Sequence, residues 1–183
     1  MVSGRTQPTA ISGLYIIDSE SFRDMRGWTR QNFCADDLAG LGLGPFGVTQ
    51  HNVSFSKVAG TTRGFHAEPW EKCIAVLDGE AVGAWVDLRA GSTFGTTFQT
   101  ALTPGKTVFV PRGVANAYQT QTDGVLYSYL INGNWPAREP YPLVYPFDPE
   151  LDIHWPIPRE RATLAAKDAN ALTFAETQPL PSR

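Results

Sequence analysis

The stretch KCIAVLDGEAVGAWVDLR, from Lys72 to Arg89, is the part of the sequence that best indicates the fold. Its second half alternates valine or alanine with other residue types from position 82 to 87, and a period of two indicates a β-strand. Its first half, KCIAVL, is an apolar run of strand length. The turn Asp78–Glu80 has a glycine at its centre, so it predicts a hairpin between the two halves.

Stretches of the same kind recur from residue 13 to about residue 155. They are short, they contain many β-branched and aromatic residues, and Gly, Pro, Asn and Asp separate them. Examples are GLYIID, GVTQHNVSFSKV, TTFQTALTPGKTVFVPRG and NAYQTQTDGVLYSYLING. Short strands at regular spacing with turn signals between them predict an all-β sandwich or barrel.

Two segments depart from this strand pattern. The segment Cys34–Gly42, CADDLAGLG, predicts one short helix closed by glycines. Arg159–Glu176 is rich in alanine and leucine, which predicts a segment that is helical in part. Residues 136–158 are rich in proline and predict an irregular connection along the surface. We expect the chain to be loose after Pro179.

The composition describes a globular chain of one domain. The 183 residues are 42% hydrophobic and 18% charged, with a formal net charge of −3, so no nucleic-acid partner is expected. No apolar run is long enough to cross a membrane, and no signal peptide is recognisable at the start. The two cysteines, Cys34 and Cys73, cannot form a disulfide framework. A reducing, cytoplasmic location is therefore predicted.

The stretch TRGFHAEPWEK, from Thr62 to Lys72, places three basic side chains within ten positions. An imidazole such as that of His66 is the readiest general base near neutral pH. An ammonium such as that of Lys72 stabilises a developing oxyanion, and the forked guanidinium of Arg63 suits a phosphate or carboxylate. A base next to an oxyanion stabiliser is what proton abstraction beside a ketone requires. A solvated surface cluster is the simpler alternative.

A metal site is a second alternative for His66. A metal-binding cupin would place another histidine two positions later and a third on a later strand, because a divalent ion needs three or more ligands. Here position 68 is a glutamate, Glu68, and the later strand carries Asn116. His51 and His154 have no neighbouring ligands in the sequence. We therefore expect no metal and no other cofactor.

Four motifs occur in an order that resembles a known family. They are RGFHAEPWEK, AVGAWVDLRAGSTFG, VFVPRGVANAY and FDPELDIHWPIP, and the resemblance extends from about residue 11 to about residue 173. The sequence is similar to the dTDP-4-dehydrorhamnose 3,5-epimerases, which are metal-independent cupins. The resemblance implies a cupin-type jelly roll, or double-stranded β-helix, with short peripheral helices and a C-terminal helical segment.

The resemblance also implies a function and partners. It implies epimerisation of a dTDP-4-keto-6-deoxyhexose at carbon 3, carbon 5 or both, in a homodimer. A dTDP-dehydrorhamnose reductase is implied in the same pathway. The epimerase-like domain of actinobacterial fusions with such a reductase is especially similar.

Residue roles follow from the same resemblance. His66 matches the catalytic base, Lys72 the residue that stabilises the enolate oxygen, Tyr127 the acid on the opposite face, and Asp168 the carboxylate that orients the base. Tyr129 lies two positions from Tyr127 and faces the same side, so only the resemblance distinguishes them. The positions matched to substrate binding are Arg26, Gln31, Gln50, Asn52, Arg63, Asn116 and Glu139.

Several residues depart from the family pattern. Asn116 replaces a pocket histidine, Gly83 replaces an aspartate, Gln31 replaces a glutamate, and Glu68 replaces a glutamine. These departures leave alternatives open: a single-centre epimerase, a ketoisomerase acting on another 4-keto sugar nucleotide, or a non-catalytic sugar-nucleotide-binding subunit. A metal-dependent cupin oxygenase is the remaining alternative.

Overall fold

Two antiparallel β-sheets packed face to face form the body of the computed structural model, which describes residues 5–138 and 140–181. The strands are β1 Arg5–Pro8, β2 Tyr15–Asp18, β3 Ser21–Asp24, β4 Gly27–Arg30, β5 Gln50–Ser56, β6 Thr62–His66, β7 Lys72–Asp78, β8 Ala81–Asp87, β9 Thr97–Leu102, β10 Lys106–Val110, β11 Val114–Thr120 and β12 Val125–Ile131. The helices are α1 Ala35–Gly40 and α2 Ala166–Ala169. Short 3-10 turns cover Pro149–Leu151, Arg159–Arg161 and Phe174–Glu176.

The larger sheet has six strands in the order β1-β2-β10-β7-β12-β5, and the smaller has four in the order β6-β11-β8-β9. Strands β3 and β4 form a separate two-stranded hairpin. The chain alternates between the two sheets as it passes from β5 through β8. This arrangement confirms the predicted all-β jelly roll.

The predicted hairpin at Asp78–Glu80 is wrong. The turn is present, but β7 pairs with β10 and β12 in the larger sheet, whereas β8 pairs with β9 and β11 in the smaller. A glycine-centred turn specifies that the chain reverses, and it does not specify which strand becomes the hydrogen-bond partner. Here the turn leads from one sheet to the other.

The main core fills the space between the sheets. It includes Ile74 from the larger sheet and Trp85 from the smaller, both almost completely buried. Gly83 shares a strand face with Trp85, and a Cβ at position 83 would lie 2.5 Å from the indole ring. The glycine that departs from the family pattern therefore leaves room for this indole in the core.

The outer face of the larger sheet carries helix α1, as predicted for Cys34–Gly42. Its Leu38 is buried with Phe46 against Cys73 and Phe109. Burial raises the pKa of the Cys73 thiol to about 12, with a further contribution from Glu71, so this thiol stays protonated. Within the described residues, no helix is long and apolar enough to span a membrane.

The C-terminal segment is less helical than its composition indicates. Arg159–Glu176 contains two 3-10 turns and the four-residue α2. Thr163 pairs through its backbone with Thr61, and Leu172 pairs with Val144. A continuous helix could not make these pairings, because its backbone groups would bond within the helix.

Leu180 lies in the part of the chain that was expected to be loose, yet its backbone forms two hydrogen bonds. The backbone amide of Leu180 donates to the Leu88 carbonyl at 2.7 Å, and the Leu180 carbonyl accepts from Ala90 at 2.7 Å. The chain is therefore attached to the body beyond Pro179.

Candidate active site

A cavity opens between the two sheets, and its walls contain five of the residues predicted for the site. These are Arg63, His66, Lys72, Asn116 and Tyr127. His66 ends β6 and Asn116 lies on β11, so both belong to the smaller sheet, whereas Lys72 begins β7 and Tyr127 lies on β12 in the larger sheet. The cavity thus places the imidazole and the phenol on opposite walls.

Gly64 makes the close approach of β6 to β11 possible. Its φ is +113°, and a Cβ there would lie 2.4 Å from the Asn116 carbonyl oxygen and 2.6 Å from the Ala117 Cα. Only a residue without a side chain fits both this backbone conformation and this spacing. The resulting register sets His66 opposite Asn116.

Asp168 lies behind His66, although about a hundred residues separate them in the sequence. The Nε2 of His66 is 2.8 Å from the Asp168 Oδ1, and Asp168 is 1% exposed. An ionised carboxylate only accepts hydrogen bonds, so Nε2 carries the proton and donates it. The Nδ1 atom is then the ring nitrogen with an available lone pair.

Helix α2 positions this carboxylate. Thr163 pairs alongside the start of β6, and the chain then turns into α2, which contacts β6. The second Asp168 oxygen, Oδ2, accepts from the Gly64 backbone amide at 3.4 Å. Asp168 therefore fixes both the imidazole and the strand that carries it.

The Lys72 ammonium is buried in the wall of the cavity. The residue is 2% exposed, and its Nζ donates to Glu68 Oε2 and to Asn116 Oδ1. The backbone carbonyl of His66 is 3.5 Å from the same Nζ. As predicted, Lys72 and His66 face a common interior.

Tyr127 is buried against a second tyrosine. Its ring stacks on Tyr118 with centroids 4.0 Å apart and planes at 10°, and the Tyr118 hydroxyl lies 3.0 Å from the Ser54 Oγ. Among the described atoms, the Tyr127 hydroxyl has no hydrogen-bond partner.

The surroundings of Tyr127 keep its hydroxyl protonated. Burial raises the pKa of Tyr127 well above its usual range, and Tyr118, Glu68 and Tyr129 add to the rise, whereas the Asn116 side chain opposes it. At neutral pH this hydroxyl therefore carries its proton, and Tyr127 lines the cavity. Tyr129 lines the cavity as well, which agrees with its two-residue spacing from Tyr127.

Gln50 and Asn52 lie at the edge of the cavity rather than in its wall. Both are on β5, on the strand face that also carries Ser54, and Gln50 Nε2 donates to Asn52 Oδ1 at 2.9 Å. Gln50 Oε1 accepts from the Trp135 backbone amide at 2.7 Å, and Trp135 lines the cavity. The pair therefore holds the loop after β12 in place.

Two predicted binding residues lie away from the cavity of this chain. Arg26 lies on the exposed β3–β4 hairpin, where it forms an ion pair with Asp24. Gln31 lies beside α1, and its Nε2 is 3.5 Å from Asp37 Oδ2. Glu139 lies outside the described residues.

Sequence reasoning missed several residues of the cavity. Glu68 departs from the family pattern, but the sequence does not identify it as a partner of Lys72. A spacing of four residues predicts a side-chain contact only within a helix, and this segment is not helical. Lys167 lines the cavity next to Asp168, and Tyr141 contacts the edge of the His66 ring at a centroid distance of 6.3 Å. Tyr118 could have been found from the strand period, because it lies two positions after Asn116.

The other two histidines lie apart from this cavity. His51 is exposed and its Nε2 is 2.8 Å from the Ser128 Oγ, while His154 is held through its backbone by Gln99. Across residues 5–138 and 140–181, no group of three or more His, Cys, Asp or Glu side chains is arranged to hold a metal ion.

Comparison with known proteins gives a consistent result. The family model for dTDP-4-dehydrorhamnose 3,5-epimerase matches residues 8–176. A Streptococcus pyogenes protein described as an RmlC homolog is 41% identical over 177 residues, covering 93% of this chain and 89% of the relative. A Streptomyces niveus dTDP-4-dehydrorhamnose 3-epimerase is 32% identical over 182 residues, covering 95% and 86%.

Among solved structures, RmlC from Streptococcus suis in complex with dTDP-D-xylose is highly similar. The TM-score is 0.90 at 41% sequence identity, and the match covers 100% of this chain and 98% of the other.

Proposed function

Because this chain belongs to the dTDP-4-dehydrorhamnose 3,5-epimerase family, whose members are isomerases, we propose that it epimerises a dTDP-4-keto-6-deoxyhexose. The observation that carries this proposal is the His66–Asp168 pair on one wall of the cavity, with Tyr127 on the other. Inversion of a carbon beside a ketone needs a base on one face of the sugar and an acid on the opposite face.

In the proposed reaction, His66 removes the proton. The lone pair of Nδ1 takes the hydrogen from the carbon next to the 4-keto group, and the C–H electrons form the enolate. The imidazole becomes an imidazolium, which the buried carboxylate of Asp168 stabilises through its 2.8 Å contact with Nε2. The same contact holds the ring in the tautomer that leaves Nδ1 free.

Lys72 stabilises the negative charge that forms on the carbonyl oxygen. Its ammonium is buried in the wall of the cavity, where water is largely excluded and a positive charge has a strong effect. Without this charge, a neutral imidazole would be too weak a base for the carbon acid.

Tyr127 returns a proton from the opposite wall. Its hydroxyl gives a proton to the enolate carbon, which inverts the centre and restores the ketone. The resulting phenolate is disfavoured by burial, so it regains a proton, ultimately from solvent. The imidazolium of His66 releases its own proton in turn.

Recognition of the diphosphate is assigned to the cations at the mouth of the cavity. Arg63 and Lys167 are exposed there, whereas Lys72 is buried. A guanidinium binds phosphate oxygens through two parallel hydrogen bonds. Asn116 is proposed to contact the sugar, and Gln50 and Asn52 to shape the opening.

A homodimer forms a further part of the proposal. The β3–β4 hairpin exposes Phe22, Met25 and Trp28, and Met25 is 100% exposed. Arg26 matches a substrate-binding position yet lies outside the cavity of its own chain. A second copy is the simplest partner for this apolar surface. The product keeps its 4-keto group, so a reductase is the enzyme class proposed to act next. A cytoplasmic location stays a prediction.

A single-centre epimerase is the second candidate. The 32% identity to a 3-epimerase supports it, as does Asn116, which departs from the family pattern and lines the cavity. The catalytic residues would be the same in either case.

Deuterium incorporation tests the proposal and separates the two candidates. The protein is incubated in D₂O with dTDP-4-keto-6-deoxyglucose, and the sugar is analysed by mass spectrometry and NMR. Deuterium at carbons 3 and 5 would support a 3,5-epimerase, and deuterium at one carbon would support a single-centre enzyme. Absence of uptake from a bound sugar nucleotide would contradict the proposal and favour a binding subunit.

A further inference from the structure

We propose that Glu68 is a positioning residue that holds Lys72 as an ammonium ion and selects which of its protons meets the substrate. This inference deepens the proposed function and rests on it. Two of the departures from the family pattern, Glu68 and Asn116, meet at one atom, because both accept a hydrogen bond from the Lys72 Nζ. The two substitutions therefore act on the same group.

The contact between Glu68 and Lys72 is an ion pair with little access to water. The Lys72 side chain is 2% exposed and that of Glu68 is 9% exposed. A buried ammonium without a compensating charge tends to lose its proton, because the neutral amine costs far less to bury. Glu68 supplies that charge on the side of the cavity next to the Pro69 bend.

The three protons of the ammonium have unequal partners. Glu68 and Asn116 accept two of them in close contacts, while the third faces the His66 carbonyl oxygen at 3.5 Å. A separation of 3.5 Å is at the outer limit of a hydrogen bond. The third proton is therefore the one available to an incoming oxygen, and it lies beside the residue that carries the base.

No other group in the described ranges can replace Glu68 in this role. Asp168 is engaged with His66, and the further titratable or charged residues that line the cavity are cations or tyrosines, which supply no negative charge while protonated. These residues are Arg63, His66, Tyr118, Tyr127, Tyr129 and Lys167. Within residues 5–138 and 140–181, Glu68 is the one carboxylate in an ion pair with Lys72.

The test uses Glu68→Gln, which keeps the shape of the side chain and removes its charge. The rate of deuterium uptake is measured from pH 6.5 to pH 9.5 for this variant and for wild type. The Lys72 CεH₂ signal is followed by NMR over the same range without substrate, and a Lys72→Met protein assigns it. The matched control is Glu80→Gln, because Glu80 is exposed on the turn between β7 and β8.

The expected result is a rate defect that grows with pH. The ratio of the wild-type rate to the Glu68→Gln rate should rise by at least about twofold between pH 6.5 and pH 9.5, because Lys72 without its ion-pair partner loses its proton at a lower pH. The Glu80→Gln protein should follow wild type. Glu68→Asp keeps the charge, so it should keep the wild-type pH profile at a reduced rate, and it serves if Glu68→Gln does not fold.

An unchanged Lys72 signal in Glu68→Gln, with the same rate ratio at every pH, would overturn the inference. If wild type takes up no deuterium, the proposed function fails, whereas the NMR titration still decides the role of Glu68. The two failures are therefore distinguishable.

Discussion

The cavity and the β3–β4 hairpin use charged residues in opposite ways. In the cavity, Lys72 and Asp168 are buried, and each has a fixed partner: Glu68 forms an ion pair with Lys72, and His66 donates a hydrogen bond to Asp168. On the hairpin, Arg26 and Asp24 form an ion pair in solvent, beside exposed aromatic side chains. Buried charges with fixed partners suit chemistry, whereas an exposed apolar and charged surface suits recognition. The difference fits the proposal that one chain supplies the catalytic groups and that the hairpin contacts a second copy.

Replacing His66, the proposed base, should have the largest effect. His66→Asn keeps a polar side chain next to Asp168 but cannot accept a proton from carbon. We expect deuterium uptake to fall by at least about 1,000-fold. The control is His51→Asn, because His51 is exposed and does not line the cavity. Full exchange activity in His66→Asn would rule out the assignment of the base.

A substitution at Gly64 tests how closely β6 must approach β11. Gly64→Ala introduces a Cβ that overlaps the backbone of β11 at a φ of +113°, so unfolding free energy should fall by about 3 kcal/mol or more. Gly91→Ala is the matched control: its φ is +137°, and nothing lies within 4 Å of the new Cβ. We expect a loss of about 1 kcal/mol there. Equal losses of unfolding free energy in Gly64→Ala and Gly91→Ala, measured by urea unfolding, would mean that the distance between β6 and β11 does not exclude a side chain at position 64.

On the hairpin, Arg26→Ala tests whether this exposed surface contributes to substrate binding. If the hairpin contributes to binding through a second copy, KM should rise about tenfold with kcat unchanged, which corresponds to loss of one charge-assisted hydrogen bond. The urea midpoint should stay at the wild-type value because Arg26 is exposed. Arg23→Ala, on the same hairpin, provides the comparison. If KM is unchanged in Arg26→Ala as well as in Arg23→Ala, Arg26 does not contribute to substrate binding.

The smallest expected effect concerns alkaline stability. Burial raises the pKa of Tyr141 to about 12 and raises the pKa values of Tyr127 and Tyr129, so the folded state keeps protons that the unfolded state releases above about pH 10. The stabilisation is complete below that pH and is lost as pH rises through the raised values. The urea midpoint should therefore fall between pH 10 and pH 12, and less steeply in Tyr141→Phe. If the urea midpoint falls equally steeply with pH in wild type and in Tyr141→Phe, this explanation is contradicted.

The sequence predicted the fold and part of the cavity, for different reasons. Strand periodicity and turn residues predicted an all-β sandwich or barrel, because both are local properties. The pairing of β7 and β8 was predicted wrongly, because a glycine turn does not specify which sheet follows. His66, Lys72 and Arg63 lie within ten residues, so their chemistry suggested a common site.

The remaining site residues depend on long-range contacts. Asp168 is brought to His66 because Thr163, five residues earlier, pairs through its backbone with Thr61 beside β6. No local sequence pattern predicts this pairing. The contact of Glu68 and Asn116 with one ammonium depends on the register of β11 against β6, which composition does not encode. Arg26 and Gln31 were assigned by resemblance alone, and a single chain gives them no place in the cavity.

The central claim is that a proton leaves toward His66 on one wall and returns from Tyr127 on the other. Tyr127→Phe removes only the hydroxyl and keeps the ring stacked on Tyr118. The measurement is deuterium uptake together with inversion, followed by NMR in the same D₂O reaction. We predict that the variant still exchanges the proton from the His66 side, while inversion slows by about 100-fold. Inversion at the wild-type rate would contradict the account.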